Sequence, residues 1–309
     1  MSRYIVRRVA LLIPSLLAVF TITFLLMHAT PGSPWDRTGR PLPAQVVERL
    51  NEKYGLDEPV WRQYVIYLEG IVLRGDLGES YNRVGQDVGT ILMRFFPISL
   101  QLGTVAMSIA LLAGVSLGIL SAYYHNTWLD RGATFLAVVG VSTPNYVVAT
   151  LLIIVFSVYL GWLPTGGWDG IFSVKIIIPA AALALLPMAL LARYVRSSML
   201  EVWGSDYIRT ARAKGVGERL ILVRHGLRNA LIPAVTVAGI AFAEVVTGSF
   251  FVESISAVPG IGRYFVTSVM ARDYPVIIGT TLLYATIVMV MNLIVDILYT
   301  FLDPRLHYD

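Results

Sequence analysis

Long apolar runs joined by short polar links make up most of the chain, with one extended polar stretch near its start. A helix needs about 20 mostly apolar residues to cross a hydrocarbon core of ~30 Å. Six segments reach that length: Val9–His28, Ser99–Tyr123, Gly132–Leu160, Ile176–Tyr194, Ile232–Val252 and Val276–Phe301. Only the fifth carries a charge near its middle, Glu244. Pro144 in the third run and Pro179 and Pro187 in the fourth predict kinks, since neighbouring helices satisfy the carbonyls that proline frees. Between the first and second runs the pattern becomes amphipathic. "LPAQVVERLNEKYG" places Val46, Val47 and Leu50 among charges and ends at Gly55, and "VWRQYVIYLEGIVL" spaces Trp61, Tyr64, Val65 and Leu68 as one helical face. The pattern predicts a small helical cap.

Composition sharpens this picture. The 309 residues are 56% hydrophobic and 14% charged, with a mean hydropathy of +0.68, too apolar for a soluble domain of this size. The fold class is all-α, membrane-embedded and multi-pass. There is no cysteine, which excludes a disulfide framework, a thiolate metal site and a cysteine nucleophile. The first run has the basic flank of a signal peptide in Arg3, Arg7 and Arg8, but it is too long for an h-region and "HATPGSP" offers no small-x-small cleavage site. It is expected to remain as the first span.

Cations set the orientation, because Lys and Arg near helix ends resist translocation. With the amino terminus inside, inner segments hold Arg3, Arg7, Arg8, Arg131, Arg305 and the eight cations from Arg193 to Arg228, whereas short outer loops hold Lys175, Arg263 and Arg272. Both termini are therefore expected in the cytoplasm. The cap, with eight cations and nine acids, is long enough to escape the rule.

Motifs for chemistry are sparse. "GVSLG" at 114–118 spells the nucleophile elbow of serine hydrolases, but that motif needs a strand–turn–helix setting and here it falls in mid-helix. Gly114 and Gly118 at small-xxx-small spacing instead predict two helices in close approach. No Gly-Lys dipeptide occurs, which excludes a P-loop, and neither Gly215/Gly217 nor Gly260/Gly262 has the third glycine of a dinucleotide fingerprint. No cofactor is expected in the chain, so any nucleotide energy comes from a partner. Glu244 has two readings. A carboxylate at that depth costs at least ~2.5 kcal/mol unless paired or wetted, so it lines a path taken by a cationic group or bonds a neighbouring subunit. Asp296, one turn after Asn292, is read as structural.

The densest cationic stretch, "RTARAKGVGERLILVRHGLRNALIP" (209–233), carries six cations and the single acid Glu218. Ser205 and Asp206 suit a helix start and Gly215 a stop. A second helix from Glu218 would align Leu220, Val223, Leu227 and Leu231, with Arg224 and Arg228 beside them. Three ligands could want such a surface. Nucleic acid is excluded by the lack of interleaved aromatics; membrane lipid accounts for Arg193 and Arg196; a protein partner accounts for the projecting helix–Gly–helix element as well.

The same stretch, with Asp206 and Tyr207 before it, resembles the cytoplasmic EAA loop of binding-protein-dependent ABC importers, in particular the B-type permease of the dipeptide/oligopeptide family. Arg209-Thr210-Ala211, Gly215 and Leu231-Ile232-Pro233 occupy the motif's places, with Arg in place of its Glu. "RRVALLIPSLLAVFTITFLLMHATPGSP", "YGLDEPVWRQYVIYLEGIVLRGDLGESY", "STPNYVVATLLIIVFSVYLGWLPTGG", "VESISAVPGIGRYFVTSVMARDYPVI" and "NLIVDILYTFLDPRLHY" resemble further family segments in order. The resemblance implies the type I importer permease fold with six transmembrane helices: tail and first span (1–29), extracytoplasmic cap (30–98), permease core (99–302) with a coupling loop at 196–231, and a cytoplasmic tail (303–309). It implies ATPase coupling through Asp206, Tyr207, Arg209, Thr210, Ala211, Arg212, Lys214 and Gly215, a translocation path with Glu244 and Asn145, and an outer gate at Pro259, Gly260, Gly262 and Arg263. Implied partners are a homologous C-type permease, two ATPase subunits holding ATP and Mg, an extracytoplasmic solute-binding protein and a peptide-like substrate, all at a bacterial or archaeal cytoplasmic membrane. Two other classes make different demands: a stand-alone ion-coupled transporter or channel would need only a gradient, and an intramembrane hydrolase would need Ser116.

Overall fold

The computed structural model describes residues 2–35, 43–83, 85–217, 220–221, 226–247 and 249–302. Among these the regular structure is helical: α1 (Ser2–Ala29), α2 (Ala44–Tyr54), α3 (Val60–Glu69), α4 (Val88–Tyr123), α5 (Trp128–Ser142), α6 (Asn145–Leu152), α7 (Ile177–Gly204), α8 (Asp206–Ala213), α9 (Arg228–Val246), α10 (Phe250–Ile255), α11 (Ile261–Met270) and α12 (Tyr274–Leu302). One isolated antiparallel bridge joins Glu79 and Asp87. Among the described residues, four helical stretches are long and apolar enough to cross a membrane: Val6–Ala29, Val88–Tyr123, Val174–Gly204 and Tyr274–Ile297. The α5–α6 pair makes a fifth if counted as one span, and Ala234–Val246 is a shorter apolar helix.

The third expected run differs from a single kinked helix. At Pro144 the chain breaks into α5 and a helical stretch, Asn145–Tyr159, that begins with α6; the two are bent by 108°. Thr143 is extended (φ −101, ψ 122), the conformation forced on a residue before proline, and Pro144 then serves as N-cap of α6. The other two prolines break nothing. Pro179 falls in the first turn of α7, where its missing N–H is not needed, and α7 runs through Pro187 to Gly204.

The chain divides into two compact units, Met1–Ile98 with Gly260–Met289 and Ser99–Pro259 with Val290–Asp309. In the first, the amphipathic helices of the polar stretch lie on α1 and α12: Val47, Leu50, Tyr64 and Leu68 pack on a core of Phe20, Phe24, Met27, Trp35, Tyr81, Tyr274, Ile277 and Ile278. Trp61 and Val65 stay exposed. The buried Asp273 carboxylate, just before α12, accepts from Ser80 Oγ (2.5 Å) and from the amides of Tyr81 (3.0 Å) and Asn82 (3.2 Å), tying the turn after α3 to the α11–α12 link. Tyr67 donates to the Leu77 carbonyl at 2.6 Å, and burial pushes its phenol well above the usual range, so it remains a donor.

In the second unit α7 is central, packing against α5, α6 and α9. Its buried face is alanine-rich, with Ala180, Ala182, Ala184, Ala189 and Ala192, which lets neighbouring backbones come close. Helix α4 also comes close to α7. A Cβ added at Gly114 would lie 2.7 Å from the Met188 carbonyl oxygen, and one at Gly118 would lie 2.7 Å from that of Ala192. These two glycines are in contact with backbone, as their spacing predicts, and Ser116 between them is exposed on a continuous helix, not on the turn a hydrolase nucleophile requires.

Candidate functional site

Glu244 and Asn145, 99 positions apart in sequence, line one cleft of about 250 Å3 in the second unit. The break at Pro144 brings this about, because it makes Asn145 the first residue of α6. Glu244 belongs to the last turn of α9, and the walls between them include Leu183, Leu186, Pro187 and Phe251. Glu244 is exposed on this chain, and its backbone carbonyl accepts from Thr247 Oγ1 at 2.9 Å. The cleft is thus an apolar hollow with a carboxylate and a carboxamide on its lining. Such a surface attracts a cationic or amine-bearing group while leaving uncharged parts of a ligand unsorted.

The cationic segment has a different geometry. Helix α8 follows α7 after a single non-helical residue, Ser205 (φ −74, ψ 151). The Ser205 hydroxyl donates back to the Val202 carbonyl at 2.5 Å and makes no side-chain cap, so Asp206 supplies the negative charge that suits a helix start. Ile208 is completely buried and anchors the helix. Asp206, Tyr207, Arg209, Thr210, Arg212, Lys214 and Gly215 are exposed, and Ala211 is half-buried. Gly215, with φ 74, ends the helix: its amide bonds to the Arg212 carbonyl (2.9 Å) and that of Val216 to Ala211 (3.2 Å), the paired bonds of a Schellman stop. Beyond it, Ile221 is buried and Leu220 exposed. Glu218, Arg219, Val223 and Arg224 lie outside the described residues, as do the side chains of Arg228, Ile232 and Pro233.

Of the four residues expected at an outer gate, Pro259 belongs to the second unit and Gly260, Gly262 and Arg263 to the first. Pro259 closes one stretch, and Gly260 is the N-cap of α11 (φ −92, ψ 174), whose first turn holds buried Gly262 and exposed Arg263.

Three carboxylates escaped the sequence reading. Glu253 is completely buried and accepts from Ser99 Oγ at 2.6 Å; Asp273 organises the turn described above; Asp130 is buried beneath Arg196. For Asp130 a signal existed: it is the only acid between Asp87 and Asp169, and an isolated acid beside apolar runs calls for a partner.

Comparison with known proteins accounts for both ends of the chain. Residues 114–308 match the family described as "Binding-protein-dependent transport system inner membrane component" and residues 1–103 its N-terminal region. Dipeptide transport system permease protein DppB of Bacillus subtilis is 44% identical over 306 residues, covering 99% of this chain and 98% of that protein. Oligopeptide transport system permease protein OppB of Haemophilus influenzae is 39% identical over 308 residues, covering 100% of both. Among solved structures, the inward-facing MetNI methionine ABC transporter shares the fold with a TM-score of 0.56 at 18% identity, over 70% of this chain and 97% of that one. An amino acid ABC transporter gives 0.51 at 21% identity, over 71% and 95%. With its helices, its apolar spans and these full-length matches, the chain belongs to the binding-protein-dependent transport system inner membrane component family.

Proposed function

We propose that the chain is the non-catalytic permease subunit of an ABC importer that carries di- and oligopeptides or a related small solute into the cell, driven by ATP and Mg held in partner ATPase subunits. The observation that carries this is α8, a short helix anchored by one buried isoleucine, presenting charged side chains and closed by a left-handed glycine. A family permease without a nucleotide motif needs a mechanical contact with its ATPase, and an exposed, firmly terminated helix suits that contact. The peptide class is supported by the names of the relatives aligned end to end.

Six crossings follow in this reading: α1, α4, the α5–α6 pair, α7, α9 and α12, with α2 and α3 as an extracytoplasmic cap receiving a solute-binding protein. A homologous C-type permease completes the path, Glu244 and Asn145 line it, and Pro259, Gly260, Gly262 and Arg263 belong to its outer gate. Lipid surrounds the spans, and both termini are cytoplasmic. A thiol introduced at Glu52, exposed on α2, should therefore react with an impermeant reagent in intact cells. Labelling only after the membrane is opened would reverse the orientation.

Reconstitution in liposomes tests the function directly. Uptake of labelled peptide is expected only with ATP, the ATPase subunits, the second permease and the solute-loaded binding protein together; uptake under an ion gradient alone would overturn the assignment. In the same assay Glu244→Gln should lower uptake of cationic peptides about fivefold relative to neutral ones, the effect of losing ~1 kcal/mol of attraction. Equal uptake of both, or loss of the assembled complex, would make Glu244 a structural bond to a neighbouring subunit.

A further inference from the structure

Asp130 stands in the first turn of α5 and is 3% exposed. Its Oδ1 accepts from Ser121 Oγ and from Arg196 Nε, both at 2.6 Å. Its Oδ2 accepts from the Asn126 amide and Arg196 Nη2, both at 2.9 Å, and lies 3.1 Å from His125 Nδ1. Arg196 Nη2 is also 3.2 Å from that ring nitrogen. Donors thus converge from the last turns of α4, from the turn to α5, where Asn126 takes the left-handed conformation (φ 64), and from α7. Arg196 grips both carboxylate oxygens at once, which fixes angle as well as distance.

The clamp stands where packing alone is weak. A hollow of about 190 Å3 opens beside it among α4, α5 and α7, bordered by Leu117, Ser121, Ala137, Ala192 and Arg196. A buried ion pair adds little net stability over apolar side chains of the same volume, because desolvation offsets attraction. Its distinctive contribution is registry between the elements it joins.

Those elements lead to both functional regions. From Arg196, α7 runs on to Gly204 and into α8; in the other direction it lines the Glu244 cleft through Leu183, Leu186 and Pro187. From Asp130, α5 runs to Ser142 and across the Pro144 break to Asn145, on the same cleft. We infer that Asp130 is a positioning residue for coupling: clamped to Arg196, it makes α5 and α7 move together, so that a displacement of α8 reaches both walls of the cleft. The inference rests on the ABC-permease assignment and on α8 as the ATPase contact. Without the clamp α7 still follows α8, but α5 and α6 are free to lag, and the cleft changes shape incompletely.

The test uses the complete transporter in liposomes with a thiol at Ala211 for cross-linking α8 to the ATPase subunit. Asp130→Asn keeps the shape but loses the charge and turns one acceptor oxygen into an NH2 donor facing an Arg196 N–H; Arg196→Lys keeps the charge but loses the two-point grip. Per assembled complex, both are expected to retain the cross-link and basal ATP hydrolysis, while stimulation by loaded binding protein and peptide uptake fall together by about tenfold, within the usual range of coupling effects. A stimulated-to-basal ratio equal to the parent's in Arg196→Lys would overturn the inference, as would losses that track only the amount of complex assembled. Absence of the Ala211 cross-link in the parent would instead remove the α8 contact itself, and the clamp's role with it.

Discussion

Gly118→Leu is expected to abolish accumulation of the folded protein in the membrane. An atom at the Cβ position would sit 2.7 Å from the Ala192 carbonyl oxygen and 2.7 Å from Val195 Cβ. The first neighbour is backbone in the middle of α7, which cannot rotate away, and Val195 is completely buried. The only relief is to push α4 off α7, which also opens the Gly114 contact with Met188 one turn away. Overpacking of this kind costs ~1–3 kcal/mol where the surroundings yield and more where they do not. In a bilayer no hydrophobic force between helices compensates, since packing itself holds them. The measurement is the amount of protein extracted in mild detergent and its thermal midpoint, with Ser116→Ala as a control on the exposed side of the same helix. Wild-type amount and midpoint in Gly118→Leu would mean that the two helices separate readily.

Features that depend on neighbours along the chain were legible in the sequence. The small-xxx-small pair, the helices of the polar stretch, the stops at Gly55 and Gly215 and four of the six long apolar runs have structural counterparts. Features that depend on distant partners were not. Pro144 and Pro187, each inside an apolar run, look alike in sequence, yet Pro144 breaks its helix while Pro187 is carried through, because α7 is packed along its length and the α5–α6 junction borders an open cleft. The polar stretch read as a separate cap, whereas its helices share a core with α1 and α12; helical periodicity reports which face is apolar but not what it meets. Asp130 and Asp273 were passed over for the same reason, since each draws its meaning from residues 66 and 193 positions away. Glu244 was legible because charge at mid-run is a local anomaly, and Asn145 was named through the family resemblance; that the two line one cleft follows from the break at Pro144.

The other large effect is expected at Gly215. Its φ of 74 is in the left-handed region, which costs an L-residue ~1 kcal/mol or more and a β-branched one further still. Nothing lies within 4 Å of an added Cβ, so a side chain there causes no collision. Any effect of Gly215→Val is therefore conformational: the two bonds that close α8 are strained, and the chain leaves the helix in another direction. A bias of 1–2 kcal/mol against the native turn depletes the correctly ended form by about five- to thirtyfold. The span-forming part of α7 is untouched, so assembly and docking of the loaded binding protein are expected to persist. Uptake and substrate-stimulated ATP hydrolysis should fall together, because both pass through the same contact, and the thiol at Ala211 should cross-link less to the ATPase subunit than in the parent. Gly215→Asn separates backbone conformation from mere side-chain addition: asparagine tolerates the left-handed region, so this variant should keep most of the activity that Gly215→Val loses. Equal loss in both variants would point to a face that must stay bare. Normal uptake in Gly215→Val, with no cross-link from any position between Arg209 and Gly215, would assign the cationic segment to lipid or another partner and leave the ATPase contact to be sought elsewhere on the chain.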